Sequence, residues 1–176
     1  MIYFARHGQS QANVDKVFAG PHLFAPLTET GRHQAEEEGR RILDEKIHID
    51  RIIASPIERA HETAQIIART IGYDPNDIQV DLRWAEYDMG DLSGQAMDGV
   101  TPAQRVSAPN AEDPKAFQAR VQAALNNAAV FEGNTLIVSH AGVGRMIETT
   151  RQGLDPTRFY ELEGYPNAQV VKLDME

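Results

Sequence analysis

Short apolar segments alternate with amphipathic segments along most of the chain, and this alternation limits the possible folds more than any other feature. Residues 2–5, 51–54, 135–139 and 168–173 read as buried strands. Helical patterns separate these segments, and strands that are joined through helices form parallel sheets with helices on both faces. The sequence therefore predicts an α/β fold, a three-layer sandwich with a mostly parallel central sheet.

Several predicted helices have recognisable ends. Thr28 caps one helix, and Asp113-Pro114 begins another. Ser55-Pro-Ile-Glu58 combines a capping serine, a proline at the first helical position and a capping-box glutamate, so we predict a helix from there to Gly72. A further helix is expected over residues 142–152, and residues 74–112 are irregular apart from a short strand near residues 78–82. With no repeat or linker, residues 1–176 are predicted to form a single domain.

Bulk composition excludes some classes of partner. The 176 residues include no cysteine, no apolar run long enough for a membrane span and no secretory signal, so we expect a cytoplasmic protein without a membrane partner. The net charge is −9, from 17 basic and 26 acidic residues, which disfavours nucleic acid as a partner. A local group of arginines can still bind a phosphorylated substrate, because distant surface charges are screened.

Polar residues follow three of the predicted strands. Arg6 and His7 end the first, Ser55 ends the second with Arg59 one turn further on, and His140 follows the strand TLIVS. Parallel strands present their carboxyl ends at one edge of the sheet, where ligands bind. Two histidines and two arginines are therefore expected together, and such a cluster suits a phosphoryl dianion.

This cluster has the parts of a phosphoryl-transfer site. A neutral imidazole near phosphorus is a competent nucleophile, and a second imidazole, kept cationic by the phosphate, can stabilise charge on the transferring oxygens. A proton donor for the leaving group is expected in the glycine-containing loop 86–94. Glu86 is preferred because burial near phosphate raises the pKa of a carboxyl, and Asp88 and Asp91 are the alternatives.

Five motifs occur in the order typical of one family. They are RHGQSQAN at residues 6–13, LTETG followed by QA at 27–35, SPIERAHETA at 55–64, the loop 86–94, and VSHAG at 138–142. In these motifs the chain resembles the histidine phosphatase superfamily, also called the phosphoglycerate mutase-like family. The matches cover most of the chain, from residue 2 to about residue 145.

The resemblance implies a mechanism and a set of site residues. Catalysis is assigned to His7 as nucleophile, to Arg6, Arg59 and His140 as ligands of the phosphoryl oxygens, and to Glu86 as proton donor and later base. Asn13 and the backbone amide of Ala141 are implied to contact the phosphate. No metal and no organic cofactor is implied. His22 lies in a loop that could border the pocket and is counted with the substrate-binding residues.

The family contains hydrolases and mutases. Only 53 residues separate Glu86 from His140. The mutases of this family are similar in their core but have a longer insertion at this place and an added C-terminal tail. A shorter segment over the site leaves the phosphohistidine open to water, which favours hydrolysis. We therefore predict a phosphatase that acts on a small phosphomonoester. A mutase, or a phosphate-binding protein without turnover, are the alternatives. Substrate choice is expected to lie in residues 15–27 and 87–112, and the sequence defines neither the substrate nor the oligomeric state.

Overall fold

A five-stranded sheet forms the centre of the computed structural model, which describes residues 1–174. The strands are β1 (Ile2–Arg6), β2 (Arg51–Ala54), β3 (Gln79–Val80), β4 (Thr135–Ser139) and β5 (Val170–Leu173). Their order across the sheet is β3-β2-β4-β1-β5. All neighbouring strands pair in parallel except β1 and β5, which are antiparallel. The predicted mostly parallel sheet is confirmed.

Alternate residues of each central strand face two separate hydrophobic cores. In β1, Ile2 and Phe4 belong to one core, whereas Tyr3 and Ala5 belong to the other. Side chains of a strand alternate between the two faces of its sheet, so a strand that is buried on both faces is apolar throughout. This explains why the central strands are continuous apolar runs with no alternation of polar residues.

Within residues 1–174, six α-helices surround the sheet. They are α1 (Gln11–Asp15), α2 (Glu29–Asp44), α3 (Glu58–Ile71), α4 (Pro102–Val106), α5 (Pro114–Ala129) and α6 (Ala141–Arg151). Apolar residues of α2 and α3 belong to one core and those of α5 and α6 to the other. Helices therefore cover both faces, and the predicted three-layer sandwich is confirmed. None of the helices within residues 1–174 has the length and apolar character to cross a membrane.

Some predicted boundaries are wrong. The helix after β2 begins at Glu58, and its N-cap is Ile57 in place of the predicted Ser55. The Ser55 hydroxyl instead accepts a hydrogen bond from Ile57 N at 3.2 Å and bonds the ring of His140. The last strand begins at Val170, two residues later than expected, because Ala168 has a left-handed backbone with φ of 58°. The predicted strand at 78–82 is reduced to β3.

Two glycines allow the start of α2 to pack against the segment that follows β1. A Cβ atom on Gly8 would lie 2.3 Å from the carbonyl oxygen of Gly31, and one on Gly31 would lie 2.1 Å from that of Gln9. No side chain fits at either position. Gly8 N also donates to the hydroxyl of Thr63 in α3 at 3.1 Å. The glycine after His7 thus serves close backbone packing, which fixes the segment that carries the histidine.

The remaining connections are irregular or consist of 3₁₀ helices. These cover Pro75–Asp77, Leu82–Trp84, Gly90–Leu92 and Pro156–Glu161. The predicted domain extends to residue 176, and residues 175 and 176 lie outside the described residues.

Candidate active site

The carboxyl ends of β1, β2 and β4 meet at one edge of the sheet, as their parallel pairing requires. Arg6 pairs with Ser139 in the register of β1 and β4. Hydrogen bonding continues beyond the strands, since His7 N donates to Ser139 O at 2.9 Å and Ser55 N donates to Val138 O at 3.0 Å. The backbone that carries the predicted polar residues is therefore held by the sheet itself.

A cavity of about 300 Å³ opens at this edge. That volume suits a small-molecule ligand. Six of the eight predicted site residues lie on its wall: Arg6, His7, Asn13, Arg59, Glu86 and Ala141. A seventh, His140, lies directly against His7, with ring centroids 5.3 Å apart in an edge-to-face arrangement. Residues that are far apart in the sequence are thus brought together at one site.

The hydrogen bonds of His7 define its tautomer. Its Nδ1 lies 2.7 Å from the carbonyl oxygen of Gly8, which can only accept, so Nδ1 carries the proton. The other nitrogen, Nε2, accepts a hydrogen bond from Arg59 Nε at 3.2 Å. Burial lowers the pKa of His7 well below its ordinary value, and the charges of Arg59 and Arg6 lower it further. A neutral ring with its Nε2 lone pair towards the cavity is the form that a nucleophile requires.

His140 is fully buried and is held by Ser55, the residue that follows β2. Its Nε2 is hydrogen-bonded to the hydroxyl of Ser55 at 2.7 Å. Burial, followed by the charge of Arg59, lowers the pKa of His140 well below its usual value. The second ring nitrogen, Nδ1, has no hydrogen-bond partner among residues 1–174. This nitrogen is therefore free to interact with a ligand beside His7.

Arg6 and Arg59 also have buried donors without a partner. Arg6 Nη1 donates to the carbonyl of Tyr165 at 3.4 Å, and Arg59 Nη2 donates to that of Ala19 at 3.1 Å. Arg6 Nε and Arg59 Nη1 are buried and make no hydrogen bond within the described part of the chain. Burial lowers the pKa of both arginines. Unpaired buried donors are costly, and an anion in the cavity would satisfy them.

Glu86 supplies a buried carboxylate on the same wall. Glu86 is 6% exposed, and its two carboxylate oxygens accept hydrogen bonds from backbone amides: Oε1 from Tyr87 at 2.8 Å and Oε2 from Gly142 at 3.2 Å. Gly142 belongs to the first turn of α6. A Cβ atom at Gly142 would lie 2.3 Å from Glu86 Oε1, so this glycine leaves the space that the carboxylate occupies.

The two alternative carboxylates bond elsewhere. Asp88 accepts from Gly90 N at 2.9 Å and lies 3.4 Å from the imidazole of His22, while Asp91 accepts from the side-chain amide of Asn110 at 2.9 Å. Neither is on the cavity wall that residues 1–174 form. Position alone therefore separates Glu86 from the two aspartates.

Arg120 of α5 holds the backbone on which Glu86 stands. Its guanidinium donates to the carbonyl oxygens of Arg83 and Ala85 at 2.8 Å each, and to that of Glu86 at 3.1 Å. It also forms a bidentate ion pair with Glu112, at 2.7 and 2.9 Å. Such a network fixes the orientation of the loop. The sequence gives no signal for this role, because Arg120 lies on a helix distant from the motifs.

Asn13 and Ala141 complete the predicted set on the wall. Asn13 Oδ1 accepts hydrogen bonds from Ser10 N at 3.0 Å and from the side chain of Asn167 at 3.4 Å, which leaves its amide nitrogen to donate to a ligand. Ala141 is the first residue of α6, where backbone amides lack helical partners.

The structure does not bring His22 into the cavity. Its side chain is 81% exposed, and its imidazole lies 3.4 Å from the carboxylate of Asp88. His22 lines a neighbouring groove together with Leu23 and Phe24. The prediction that His22 borders the pocket is thus corrected: the loop turns this imidazole outwards. The groove shares only Arg59 with the cavity among the residues on the two walls.

Sequence reasoning missed Arg145, Tyr160 and Asn167, which all lie on the wall. Arg145 follows His140 by five residues, much as Arg59 follows Ser55 by four, so the same strand-end reasoning could have found it. Tyr160 and Asn167 come from the segment between α6 and β5, where no motif points to the site. Their position depends on tertiary packing.

Comparison with known proteins agrees with the geometry. A sequence model described as "Histidine phosphatase superfamily (branch 1)" matches residues 2–176. A protein from Enterobacter sp. (strain 638) named "Probable phosphoglycerate mutase GpmB" is 32% identical over 163 residues, which cover 84% of this chain and 73% of that protein.

Solved structures of similar fold include hydrolases. The mycobacterial glucosyl-3-phosphoglycerate phosphatase, in complex with VO3, has a TM-score of 0.80 and 25% identity, and the alignment covers 96% of this chain and 90% of that one. The product of an open reading frame of Mycobacterium tuberculosis has a TM-score of 0.76 and 26% identity, with 96% and 88% covered. With its nearly complete family match and its two histidines at one sheet edge, the chain belongs to the histidine phosphatase superfamily.

Proposed function

We propose that the protein is a phosphomonoester hydrolase that works through a phosphohistidine intermediate on a small phosphorylated metabolite. The observation that carries this proposal is the state of His7. Its ring is neutral, its tautomer is fixed by Gly8, and its Nε2 faces the guanidinium of Arg59 in the cavity. A lone pair held beside a buried cation is suited to attack a phosphorus atom whose oxygens that cation binds.

The first half-reaction transfers the phosphoryl group to the protein. His7 Nε2 attacks phosphorus as the bond from phosphorus to the ester oxygen breaks, and Glu86 gives its proton to the leaving alcohol. Arg6 Nε and Arg59 Nη1, the buried donors without a partner among residues 1–174, bind the transferring oxygens, and His140 Nδ1 does so in the tautomer that carries its proton there. Before the attack, Arg59 Nε exchanges its bond with His7 for one with a phosphoryl oxygen, which frees the Nε2 lone pair. Asn13 and the amide of Ala141 are proposed as further contacts.

The second half-reaction returns the protein to its starting form. Glu86, now a carboxylate, takes a proton from water, and the resulting hydroxide displaces His7 from phosphorus. Inorganic phosphate leaves, and His7 recovers its neutral form. Neither half-reaction uses a group from outside the chain other than the ester and water.

Hydrolysis is preferred over mutase activity because little of the chain can cover the cavity. Of the residues between Glu86 and His140, α5 packs into the hydrophobic core and β4 lies in the sheet. The segment between Glu86 and the start of α5 is therefore the part that remains to cover the cavity. A mutase must protect its phosphohistidine from water until the phosphoryl group is returned. Mutase activity stays the second candidate because of the similarity to the GpmB protein.

The test measures phosphate release from 4-nitrophenyl phosphate and from an alkyl phosphate. We expect turnover by the wild type and a loss of at least about 10³-fold in His7→Ala, because the nucleophile is removed. His33→Ala is the matched control, since His33 is an exposed histidine of α2. Equal release by the wild type and His7→Ala would support a phosphate-binding protein without turnover.

A second measurement separates hydrolase from mutase. The protein is incubated with 3-phosphoglycerate and 2,3-bisphosphoglycerate, and isomerisation is compared with phosphate release. Isomerisation that is faster than release would favour a mutase. Acid-labile phosphate on His7, trapped with a labelled ester, is expected in both cases and would be absent from His7→Ala.

A further inference from the structure

His140 has two neutral tautomers, and only one of them can donate a hydrogen bond to a phosphoryl oxygen. Its Nε2 is bonded to the Ser55 hydroxyl at 2.7 Å, and its buried Nδ1 has no partner among residues 1–174. Nδ1 is therefore the nitrogen that remains for a ligand. It donates to an anion if it carries the ring proton and repels the anion if it does not. What His140 can do thus depends on the position of one proton.

The hydrogen bonds of Ser55 decide between the two tautomers. Ser55 is fully buried, and within the described part of the chain its hydroxyl oxygen has two partners, Ile57 N at 3.2 Å and His140 Nε2. A hydroxyl has one proton to donate and two lone pairs to accept with. The amide of Ile57 uses one lone pair, so the hydroxyl proton is left for His140 Nε2. With Nε2 as acceptor, the ring proton lies on Nδ1.

The opposite direction of this bond would leave more buried groups unpaired. If His140 Nε2 donated to Ser55, the hydroxyl proton would have no acceptor among residues 1–174, and the bare Nδ1 would have no donor. With Ser55 as donor, Nδ1–H is the one group without a partner, and an anion in the cavity supplies its acceptor. Because buried polar groups are normally paired, the arrangement with fewer unpaired groups is favoured.

A doubly protonated His140 is disfavoured for the same reason and by its surroundings. A cationic ring would donate from Nε2 and would again leave the Ser55 proton unpaired. Burial and the nearby charge of Arg59 also lower the pKa of His140 well below its ordinary value. The ring is therefore neutral in the free protein, and the choice of tautomer has a consequence for ligand binding.

His7 and His140 then offer complementary groups to one ligand. His7 carries its proton on Nδ1, where Gly8 O accepts it at 2.7 Å, and its bare Nε2 is the nucleophile. His140 is supported by a donor instead of an acceptor, so its N–H is the group left for the ligand. The two rings lie edge to face with centroids 5.3 Å apart. One ring thus presents a lone pair and its neighbour a hydrogen-bond donor.

We infer that Ser55 is a positioning residue: its hydroxyl donates to His140 Nε2 and holds His140 as a neutral imidazole with the proton on Nδ1. A donor for the transferring oxygens is then in place before the phosphoryl group arrives. The inference rests on the proposed function in that this N–H is assigned to a phosphoryl oxygen. It goes further, since it names the residue that selects the tautomer and replaces the cationic second imidazole expected from the sequence with a neutral one.

The first experiment determines the tautomer in the wild type. Full-length protein labelled with nitrogen-15 is studied without ligand near neutral pH, and NMR correlates the ring nitrogens with the carbon-bound ring protons. Nε2 couples to both of these protons, which distinguishes it from Nδ1, and the signals missing from His140→Gln assign the ring. We expect the chemical shift of a protonated nitrogen at Nδ1 and that of a bare nitrogen at Nε2.

The second experiment asks whether Ser55 is responsible. In Ser55→Ala the share of the tautomer protonated at Nε2 should rise, whereas Ser55→Thr keeps the hydroxyl and should keep the proton on Nδ1. Ser139→Ala is the matched control, because Ser139 is also fully buried and precedes His140, but its hydroxyl donates to Trp84 O at 2.7 Å. It should leave the His140 signals unchanged.

Kinetics supply a readout that a general loss of stability would not reproduce. In Ser55→Ala, kcat/KM should fall by about 10-fold or more, and by the same factor for 4-nitrophenyl phosphate and an alkyl phosphate, since the donor acts on the transferring oxygens and not on the leaving group. Ser55→Thr should recover most of this loss.

Three results would overturn the inference. They are a wild-type spectrum in which His140 Nε2 is protonated, an unchanged tautomer in a folded Ser55→Ala protein, and an unchanged kcat/KM in that variant. The wild-type spectrum is decisive even if Ser55→Ala does not fold. Because the spectrum is recorded without substrate, failure of the proposed hydrolase is detected separately, as absence of phosphate release by the wild type.

Discussion

Replacing Gly142 with alanine should displace the Glu86 carboxylate without removing it. The new Cβ atom would lie 2.3 Å from Glu86 Oε1, whereas an ordinary contact between such atoms is at least about 3.4 Å. One of the two groups must therefore move by about 1 Å. Gly142 is the second residue of α6, and the residue after it, Val143, is fully buried, so the side chain of Glu86 is the group that yields.

The size of the effect follows from that displacement. A misplacement of about 1 Å in a reacting group costs roughly 10²-fold in rate. If Glu86 is the proton donor, the loss should depend on the leaving group. We expect kcat/KM for an alkyl phosphate to fall by about 10²-fold, and that for 4-nitrophenyl phosphate to fall by less than about 10-fold, because nitrophenolate leaves without a proton.

The assay determines kcat/KM for both esters in the wild type, Gly142→Ala, Glu86→Gln and the double variant. The two changes act on one group, so the double variant should be no slower than Glu86→Gln alone. Equal losses for the two esters, or additive losses in the double variant, would refute the reasoning. Either result would mean that Gly142 acts on phosphate binding or on the fold and not through Glu86.

Four further outcomes are expected. The acid limb of kcat/KM should lie well below pH 6.5, because the pKa of His7 is lowered; a limb centred at pH 6.5 would contradict this. Below about pH 6.5 the unfolded chain binds a proton at His7, whereas the folded chain does so only at a much lower pH. As the pH falls from 6.5 towards the lowered pKa of His7, the unfolding free energy of the wild type should therefore decrease by about 1.4 kcal/mol per pH unit more than that of His7→Gln, measured by urea titration. Gly8→Ala should destabilise the fold by about 2 kcal/mol or more, whereas Gly20→Ala, whose Cβ would meet no atom nearer than 3.5 Å, should cost less than about 1 kcal/mol. Arg120→Gln should slow the alkyl ester more than the aryl ester, and the exposed Arg40→Gln should change neither.

The order of elements and the edge that holds the site could be predicted from the sequence because they follow from local patterns. The strand TLIVS has an apolar centre and is buried at every position, and His140 is the next residue, so its place at the sheet edge needs no tertiary information. The positions of Arg6 and His7 follow in the same way from β1. That residues 1–176 form a single domain stays a prediction.

Other features could not be predicted, since they depend on contacts between distant segments. Ser55 has the properties of a helix cap, yet its hydroxyl bonds His140, which is 85 positions away in the chain. Local propensity is overridden when a distant side chain offers a better partner. Arg120 and Tyr160 reach the site from α5 and from a 3₁₀ helix without any motif. His22 lies in a loop without hydrophobic periodicity, so the sequence could not predict that its side chain points outwards.

The separation between His7 and His140 has a consequence for how this site can change. The two residues follow adjacent parallel strands in register, and their ring centroids are 5.3 Å apart, close to the spacing of about 4.8 Å between neighbouring strands. The pairing of β1 with β4 therefore sets the distance between the two imidazoles. Under the proposed function, a library for new substrates should therefore leave the strands intact and randomise positions on the cavity wall that lie outside them, such as 105, 145 and 160.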